Sequence, residues 1–236
     1  MSRPTAAILL VGNELMSGKV RDDNAHFLAR ELFALGVALR RTVVVPDEPE
    51  VVAEVLQDLL GQVDLVFTSG GIGPTHDDIT VAAVAAALGK ELAEHPRLVE
   101  KARRFFGPDL GEEHLRMTRV PVGCELVEGE RVRFPVLKVD RVYVLAGVPK
   151  IFRRGFEALR PLLPSEPADH VISVFVMLDE WSLTPALEET VARFPGVQIG
   201  SYPEMSNPEY RVRVTFEALD RELVAAAADH LEAALP

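Results

Sequence analysis

The sequence predicts an α/β protein, a doubly wound three-layer sandwich followed by a smaller α+β unit. Three observations carry this. Short apolar runs alternate with amphipathic segments through the first half of the chain, as in a parallel sheet covered on both faces. Polar or glycine-rich segments directly follow three of those runs, where open α/β sheets bind ligands. A proline-punctuated stretch (Pro161, Pro164, Ser165, Pro167) then precedes a new strand–helix–strand–strand–helix pattern.

Taken in order, Ala6–Val11 reads as a buried strand. Asp22 and Asp23 offer a helix cap, Ala25, Leu28, Leu32 and Leu35 recur at helical spacing, and Gly36 ends the run. Val43–Val45 belongs to a second strand. Asp47 and Pro49 open a second helix with apolar stripes at Val51, Val55, Leu59 and Val52, Leu56, Leu60. Val63–Thr68 is a third strand, followed by a glycine loop and a helix from about Asp78 to Leu88. Glu94 to about Thr118 reads as helix, interrupted near Gly107-Pro108. Val142–Leu145 is another buried strand, and a helix runs from Gly147-Val148-Pro149 to about Leu162. The second unit holds strands at Val171–Leu178, Val197–Tyr202 and Tyr210–Glu217, and helices at Leu183–Phe194 and Arg221–Leu235. In its last strand Arg211, Arg213 and Thr215 alternate with Val212, Val214 and Phe216, as expected of a sheet with one solvated face. The expected domains are residues 1–164 and 168–236.

Composition narrows the function. With 25 basic and 36 acidic residues the net charge is −11, which disfavours broad electrostatic binding to nucleic acid. No apolar run reaches the ~18 residues of a membrane span, and the N-terminus shows no signal-peptide pattern, so a cytoplasmic location is expected. The one cysteine, Cys124, makes neither an intrachain disulfide nor a cysteine zinc cage; it reads as a small buried residue.

Three strand ends carry candidate chemistry: Gly12-Asn13-Glu14-Leu15-Met16-Ser17-Gly18-Lys19, Ser69-Gly70-Gly71-Ile72-Gly73-Pro74-Thr75-His76-Asp77-Asp78-Ile79-Thr80, and Ala146-Gly147-Val148-Pro149-Lys150. In the second, Gly70, Gly71 and Gly73 permit close backbone approach to a ligand, and the loop runs into a helix N-terminus that favours an anion. Asp77 and Asp78 would repel a bare phosphate, and a divalent cation shared by carboxylate and phosphate oxygens resolves the conflict. The plainer alternative is that Asp77 or Asp78 only caps the helix; Asp78 can do both. Glu14 is a candidate third acid. Ser17, Lys19 and Asn24 are candidate phosphate or ribose contacts. Asp47 to Glu50 resembles a capping box. The loop is neither a Walker A motif nor a dinucleotide fingerprint.

These residues resemble a known family. Gly12-Asn13-Glu14-Leu15, Gly18, Asp23-Asn24-Ala25 and Ser69 to Thr80 are similar to the molybdopterin-binding-like domain of CinA proteins. Arg133-Phe134-Pro135-Val136, Val142 to Pro149 and Ile199-Gly200-Ser201-Tyr202-Pro203 look like the N-terminal domain of eukaryotic FAD synthase. The resemblance implies a three-layer α/β/α molybdopterin-binding fold with a small C-terminal α+β domain. It implies a nucleotide pyrophosphatase acting on ADP-ribose, FAD or a related dinucleotide, with a divalent metal (Co²⁺, Mg²⁺ or Mn²⁺) and K⁺. On this reading Asp77, Asp78 and Glu14 hold the metal, with Asp77 and Asp78 at the reaction centre. Gly12, Glu14, Ser17, Asn24, Ser69, Gly70, Gly71, Gly73, Thr75, Gly147 and Pro149 bind the substrate. A more distant likeness, to molybdopterin adenylyltransferases, gives weight to Asp47 and to a pterin ligand. A homo-oligomer, dimer or trimer, is expected; amide hydrolysis and FAD synthesis are not. The remaining alternative is an interaction module whose carboxylates serve only as caps.

Overall fold

The computed structural model describes residues 3–130, 132 and 134–235, so Arg133 of the quoted motif lies outside the described residues. The chain forms two compact units that divide between Glu166 and Pro167.

The first unit runs β1 (Thr5–Val11), α1 (Asn13–Met16), α2 (Asn24–Ala34), β2 (Ala38–Val45), α3 (Pro49–Leu60), β3 (Leu65–Ser69), α4 (Thr80–Ala87), β4 (Leu92–Glu94), α5 (Pro96–Phe106), α6 (Glu112–Arg116), β5 (Arg119–Pro121), β6 (Glu125–Val127), β7 (Val136–Val139), β8 (Val142–Leu145) and α7 (Pro149–Leu159). Its main sheet has the order β2-β1-β3-β8-β7-β6. The first four strands are parallel, and β7 and β6 are antiparallel additions.

Strand β1 shows why this sheet lies between two helical layers. Residues Ala6 to Val11 are all at most 2% exposed, so the strand is apolar on both sides. Ala7, Leu9 and Val11 pack with Val52, Leu56 and Leu59 of α3 and with Ala83 and Val84 of α4. Ala6, Ile8 and Leu10 pack with Leu28 and Leu32 of α2 and with Phe152, Phe156 and Leu159 of α7. Register then levels the strand ends. Val11 pairs with Val45, Leu10 with Ser69, and Ser69 with Leu145. The order reverses at β1, whose neighbours are β2 on one side and β3 on the other, and a crevice is expected beyond the carboxyl ends there.

The structure corrects several expectations. The sheet is mixed, and the predicted set of strands lacked β4, β5, β6 and β7. The predicted helix over Glu94–Thr118 is α5, a 3₁₀ turn at Gly107–Asp109 and α6. Gly107 has φ 54°, a conformation that stops an α-helix. The Asp47–Glu50 capping box does not form. Glu48 is the N-cap of α3 without a side-chain bond, and Asp47 instead accepts from the Asn13 N–H at 2.8 Å. Helix α4 begins at Thr80 with Ile79 as N-cap, so neither Asp77 nor Asp78 caps it.

The second unit runs β9 (His170–Val176), α8 (Glu180–Arg193), β10 (Gln198–Pro203), β11 (Val212–Ala218) and α9 (Arg221–Ala234). Its antiparallel sheet has the order β10-β11-β9. Val174, Val176, Val212, Val214 and Phe216 pack with Leu183 of α8 and with Val224, Ala227, Ala228 and Leu231 of α9. Both helices are capped by aspartate. Asp179 accepts from the Ser182 N–H at 2.9 Å, and Asp220 accepts from the N–H groups of Glu222 and Leu223. Each such cap stabilises by about 0.5–2 kcal/mol. No helix among the described residues is long and apolar enough to cross a membrane.

Candidate functional site

The levelled strand ends of the first unit border one cavity of about 580 Å³, within the usual size range for a small-molecule site. The loop after β3 forms its floor. Gly70 has φ 102°, and a Cβ there would lie 2.2 Å from the Val11 carbonyl oxygen. Only glycine lets β1 and this loop approach so closely. Thr80 fixes the loop from behind: its hydroxyl donates to Gly70 O at 2.8 Å and its N–H to Gly71 O at 2.9 Å.

Asp78 closes the rest of the loop. Its Oδ1 accepts from the Gly73 N–H at 2.5 Å. Its Oδ2 accepts from the Thr75 N–H at 2.7 Å and the Thr75 hydroxyl at 2.5 Å. Three of a carboxylate's roughly four acceptor positions are therefore used inside the loop. The N–H groups of Gly73 and Thr75 are spent on Asp78, whereas those of Gly71 and Ile72 make no hydrogen bond among the described residues. Asp77 is more open, its side chain 56% exposed. The nearby Thr75 side chain, whose hydroxyl proton is chiefly engaged with Asp78, and the N–H of Asp77 itself hold its carboxyl below the usual carboxylate range, so it is ionised at neutral pH.

Asn24 ties the loops together from beneath. It is 4% exposed, and its Nδ2 donates to Ser69 Oγ at 2.9 Å and to Gly147 O at 2.7 Å. Gly147 sits against Gly70: a Cβ on Gly147 would lie 3.2 Å from the Gly70 Cα. The Asn24 Oδ1 is buried without a partner among the described residues. In the first loop, Glu14 folds back across Gly12, where a Cβ would lie 2.4 Å from Glu14 Oε1.

Of the residues singled out in the sequence, Glu14, Asp47, Gly70, Gly71, Gly73, Asp77, Asp78, Gly147 and Pro149 line the cavity. Gly12, Asn24 and Ser69 are buried behind it, Thr75 is engaged with Asp78, and Ser17 is exposed with its hydroxyl directed to Glu14 O at 3.3 Å. The apolar wall of Met117, Val132, Phe134, Pro135, Val148 and Ile151 went unrecognised as lining. Five of these residues come from connectors without periodicity, and only Phe134-Pro135 and Val148, which fall in the quoted motifs, carried any signal.

The electrostatics are one-sided. Glu14, Asp47, Asp77 and Asp78 line the cavity, and among its described lining residues there is no Lys, Arg or His. A bare diphosphate would be repelled. No three His, Cys, Asp or Glu side chains among the described residues gather into a ready-made metal cluster. The donor set instead suits a hard cation that takes one or two carboxylates and completes its shell with phosphate oxygens and water.

Comparison with known proteins identifies the lineage. Residues 7–165 match the family described as "Probable molybdopterin binding domain". The chain belongs to that family. Within the molybdopterin-binding family it is a CinA-like domain close to FAD synthase, since residues 169–236 match the FAD synthase middle domain. A protein of Aeropyrum pernix is 39% identical, over 95% of this chain and 90% of the relative. The "Probable FAD synthase" of Caenorhabditis briggsae is 34% identical over 95% of this chain and 48% of the relative; the chain thus spans about half the length of that enzyme. Among solved structures, CinA from Thermoplasma acidophilum matches with a TM-score of 0.63 and 30% identity, over 67% of this chain and 97% of the other. The fold is therefore the three-layer molybdopterin-binding fold, followed by a small strand-rich C-terminal unit.

Proposed function

We propose that this protein is a metal-dependent nucleotide pyrophosphatase. Water would cleave the diphosphate of ADP-ribose, FAD or a related dinucleotide, giving AMP and a second monophosphate. The observation that carries this reading is the pairing, at one sheet edge, of four carboxylates with no cation among the described lining residues and of two amides, Gly71 N–H and Ile72 N–H, unengaged among the described residues. The likeness to probable FAD synthases supports a nucleotide ligand.

The residues divide the work. The Gly71 and Ile72 N–H groups donate to a phosphate oxygen. Phe134, Pro135 and Val148 offer an apolar surface to a ring system. Asp77, Asp78 and Glu14, with Asp47 beside them, are the residues that would hold Co²⁺, Mg²⁺ or Mn²⁺. A divalent ion bound there supplies charge neutralisation and polarises water. Asp78 contributes chiefly by shaping the loop, leaving Asp77 as the most available ligand.

The test is incubation of ADP-ribose, FAD and NAD with each metal and measurement of AMP. AMP release that stops with a chelator is the expected result; a folded sample that yields no AMP from any pairing overturns the proposal. The family match over residues 7–165 favours a second reading, binding or adenylylation of molybdopterin in the same cavity. Titration with molybdopterin separates the two. We also propose a dimer or trimer, which sedimentation velocity would measure.

A further inference from the structure

We propose that Arg116 and Arg119 build a phosphoryl-binding subsite adjoining the acidic cavity. A second cavity, of about 200 Å³, shares the walls Ile72, Gly73, Asp78, Met117 and Phe134 with the first. Its lining also includes Arg116, Arg119 and His76. The charge is thus the reverse of its neighbour's: its one lining acid is Asp78, whose carboxylate already accepts three hydrogen bonds within the loop.

Neither guanidinium closes an ion pair among the described residues. Some other surface cations of the same unit do, as Arg41 with Asp58 at 3.0 Å, Arg97 with Glu128 at 2.7 Å and Lys138 with Glu125 at 2.8 Å. What sets Arg116 and Arg119 apart from arginines such as Arg40 and Arg103, likewise unpaired among the described residues, is that they line one cavity together. Glu94 stands opposite Arg119 in the β4–β5 ladder without reaching it as an ion pair. In a chain with 36 acids and a net charge of −11, two neighbouring arginines left open beside a ligand cavity mark a place for an external anion. Their planar forks match phosphate oxygens.

The backbone that presents them is anchored. Arg116 ends α6 and Arg119 begins β5, and between them Thr118 is 0% exposed. The Thr118 hydroxyl donates to Leu115 O at 2.7 Å, and its carbonyl accepts from the His95 N–H at 2.8 Å. The hollow is smaller than the ~300 Å³ at which small-molecule pockets begin, so its occupant is a single phosphoryl group and not a nucleoside. That group is either free phosphate or one phosphate of a longer ligand lying across the shared wall. The second case rests on the nucleotide reading above.

Calorimetric titration of the full chain with inorganic phosphate, ADP-ribose, AMP and adenosine tests this. The R116Q/R119Q double variant is compared with wild type and with R40Q/R103Q, which removes the same charge from exposed positions; melting curves establish that all three are folded. A loss of at least tenfold for inorganic phosphate, specific to R116Q/R119Q, supports the subsite with free phosphate as occupant. The same loss for ADP-ribose or AMP, with inorganic phosphate unbound by wild type, supports it with a ligand-borne phosphate. Adenosine binding is expected to stay unchanged. The proposal is overturned if every phosphate probe binds R116Q/R119Q as tightly as wild type, if R40Q/R103Q loses as much, or if wild type binds none of them. Because binding is read and not turnover, failure of AMP release with arginine-dependent binding intact removes the proposed reaction and leaves the subsite standing.

Discussion

Adjacent carboxylates here have unequal jobs, and the difference is set by their neighbours. Asp78 is turned into its loop and holds Gly73 and Thr75, whereas Asp77 is largely open to solvent. Asp77→Ala is therefore expected to lower turnover in the AMP-release assay at least tenfold while leaving the melting temperature within about a degree. Asp78→Ala is expected to lower both turnover and stability, the latter by about 1.5–3 kcal/mol for lost hydrogen bonds to a charged group. Chemical denaturation of the two variants side by side checks this, and equal stability losses would refute the division. Cys124 offers a second test at this scale. Burial pushes its thiol up from 9.0 to about 11, so between those values the unfolded chain loses its proton first. The folded state then holds more protons than the unfolded one, and stability falls as pH rises. The stabilising difference is intact below pH 9 and is lost on approaching pH 11. Wild type is expected to lose more melting temperature between pH 8 and 10.5 than Cys124→Ala does.

At the scale of elements, the decisive contact is backbone on backbone. The loop after β3 touches β1 at Gly70 and the loop after β8 at Gly147. Gly70→Ala would face both a strained φ, costing about 1–3 kcal/mol, and a clash with Val11 O costing about 1–3 kcal/mol more. Gly89 also has a positive φ, but a Cβ there meets open space, so Gly89→Ala is expected to bear only the strain. The unfolding free energies of the two variants from urea titration should differ by about the cost of the clash, and ligand affinity should fall only in Gly70→Ala.

The parts of this framework that the sequence made legible share a physical cause. Strands β1 and β8 are buried on both faces and read as unbroken apolar runs, β3 opens on the apolar Leu65-Val66-Phe67, and α2, α3 and α7 show clear helical spacing. Glycines followed by acids marked the floor of the cavity. Strands β4, β5 and β6 have three residues each, too few to establish a period. The true partner of Asp47 also escaped, because its bond to the Asn13 N–H spans 34 residues, while the local pattern pointed to Glu50. Arg116 and Arg119 gave no signal, since their role depends on a cavity that tertiary structure brings to them.

For the molecule as a whole, each hydrophobic core closes within its own unit. The clusters around the main sheet draw on residues of the first unit, and the cluster around Phe216 draws on residues of the second. A single two-state description is then not assured. Phe216→Ala, at a fully buried position, is expected to cost about 3–5 kcal/mol. Scanning calorimetry should show this as a shift confined to part of the transition, with nucleotide affinity in the first unit unchanged. A parallel loss of affinity would show that the second unit supports the cavity.

The two margins of the main sheet bear on how copies of this chain can meet. Strand β2 is one margin and exposes Arg40 and Arg41, the latter tethered to Asp58; strand β6, the other, is three residues long. Charged or stunted margins are poor templates for another chain's strand. Any meeting of copies at the main sheet is thereby steered away from strand-to-strand stacking and toward docking through side-chain surfaces, which would leave that sheet's hydrogen-bond ladder private to each copy.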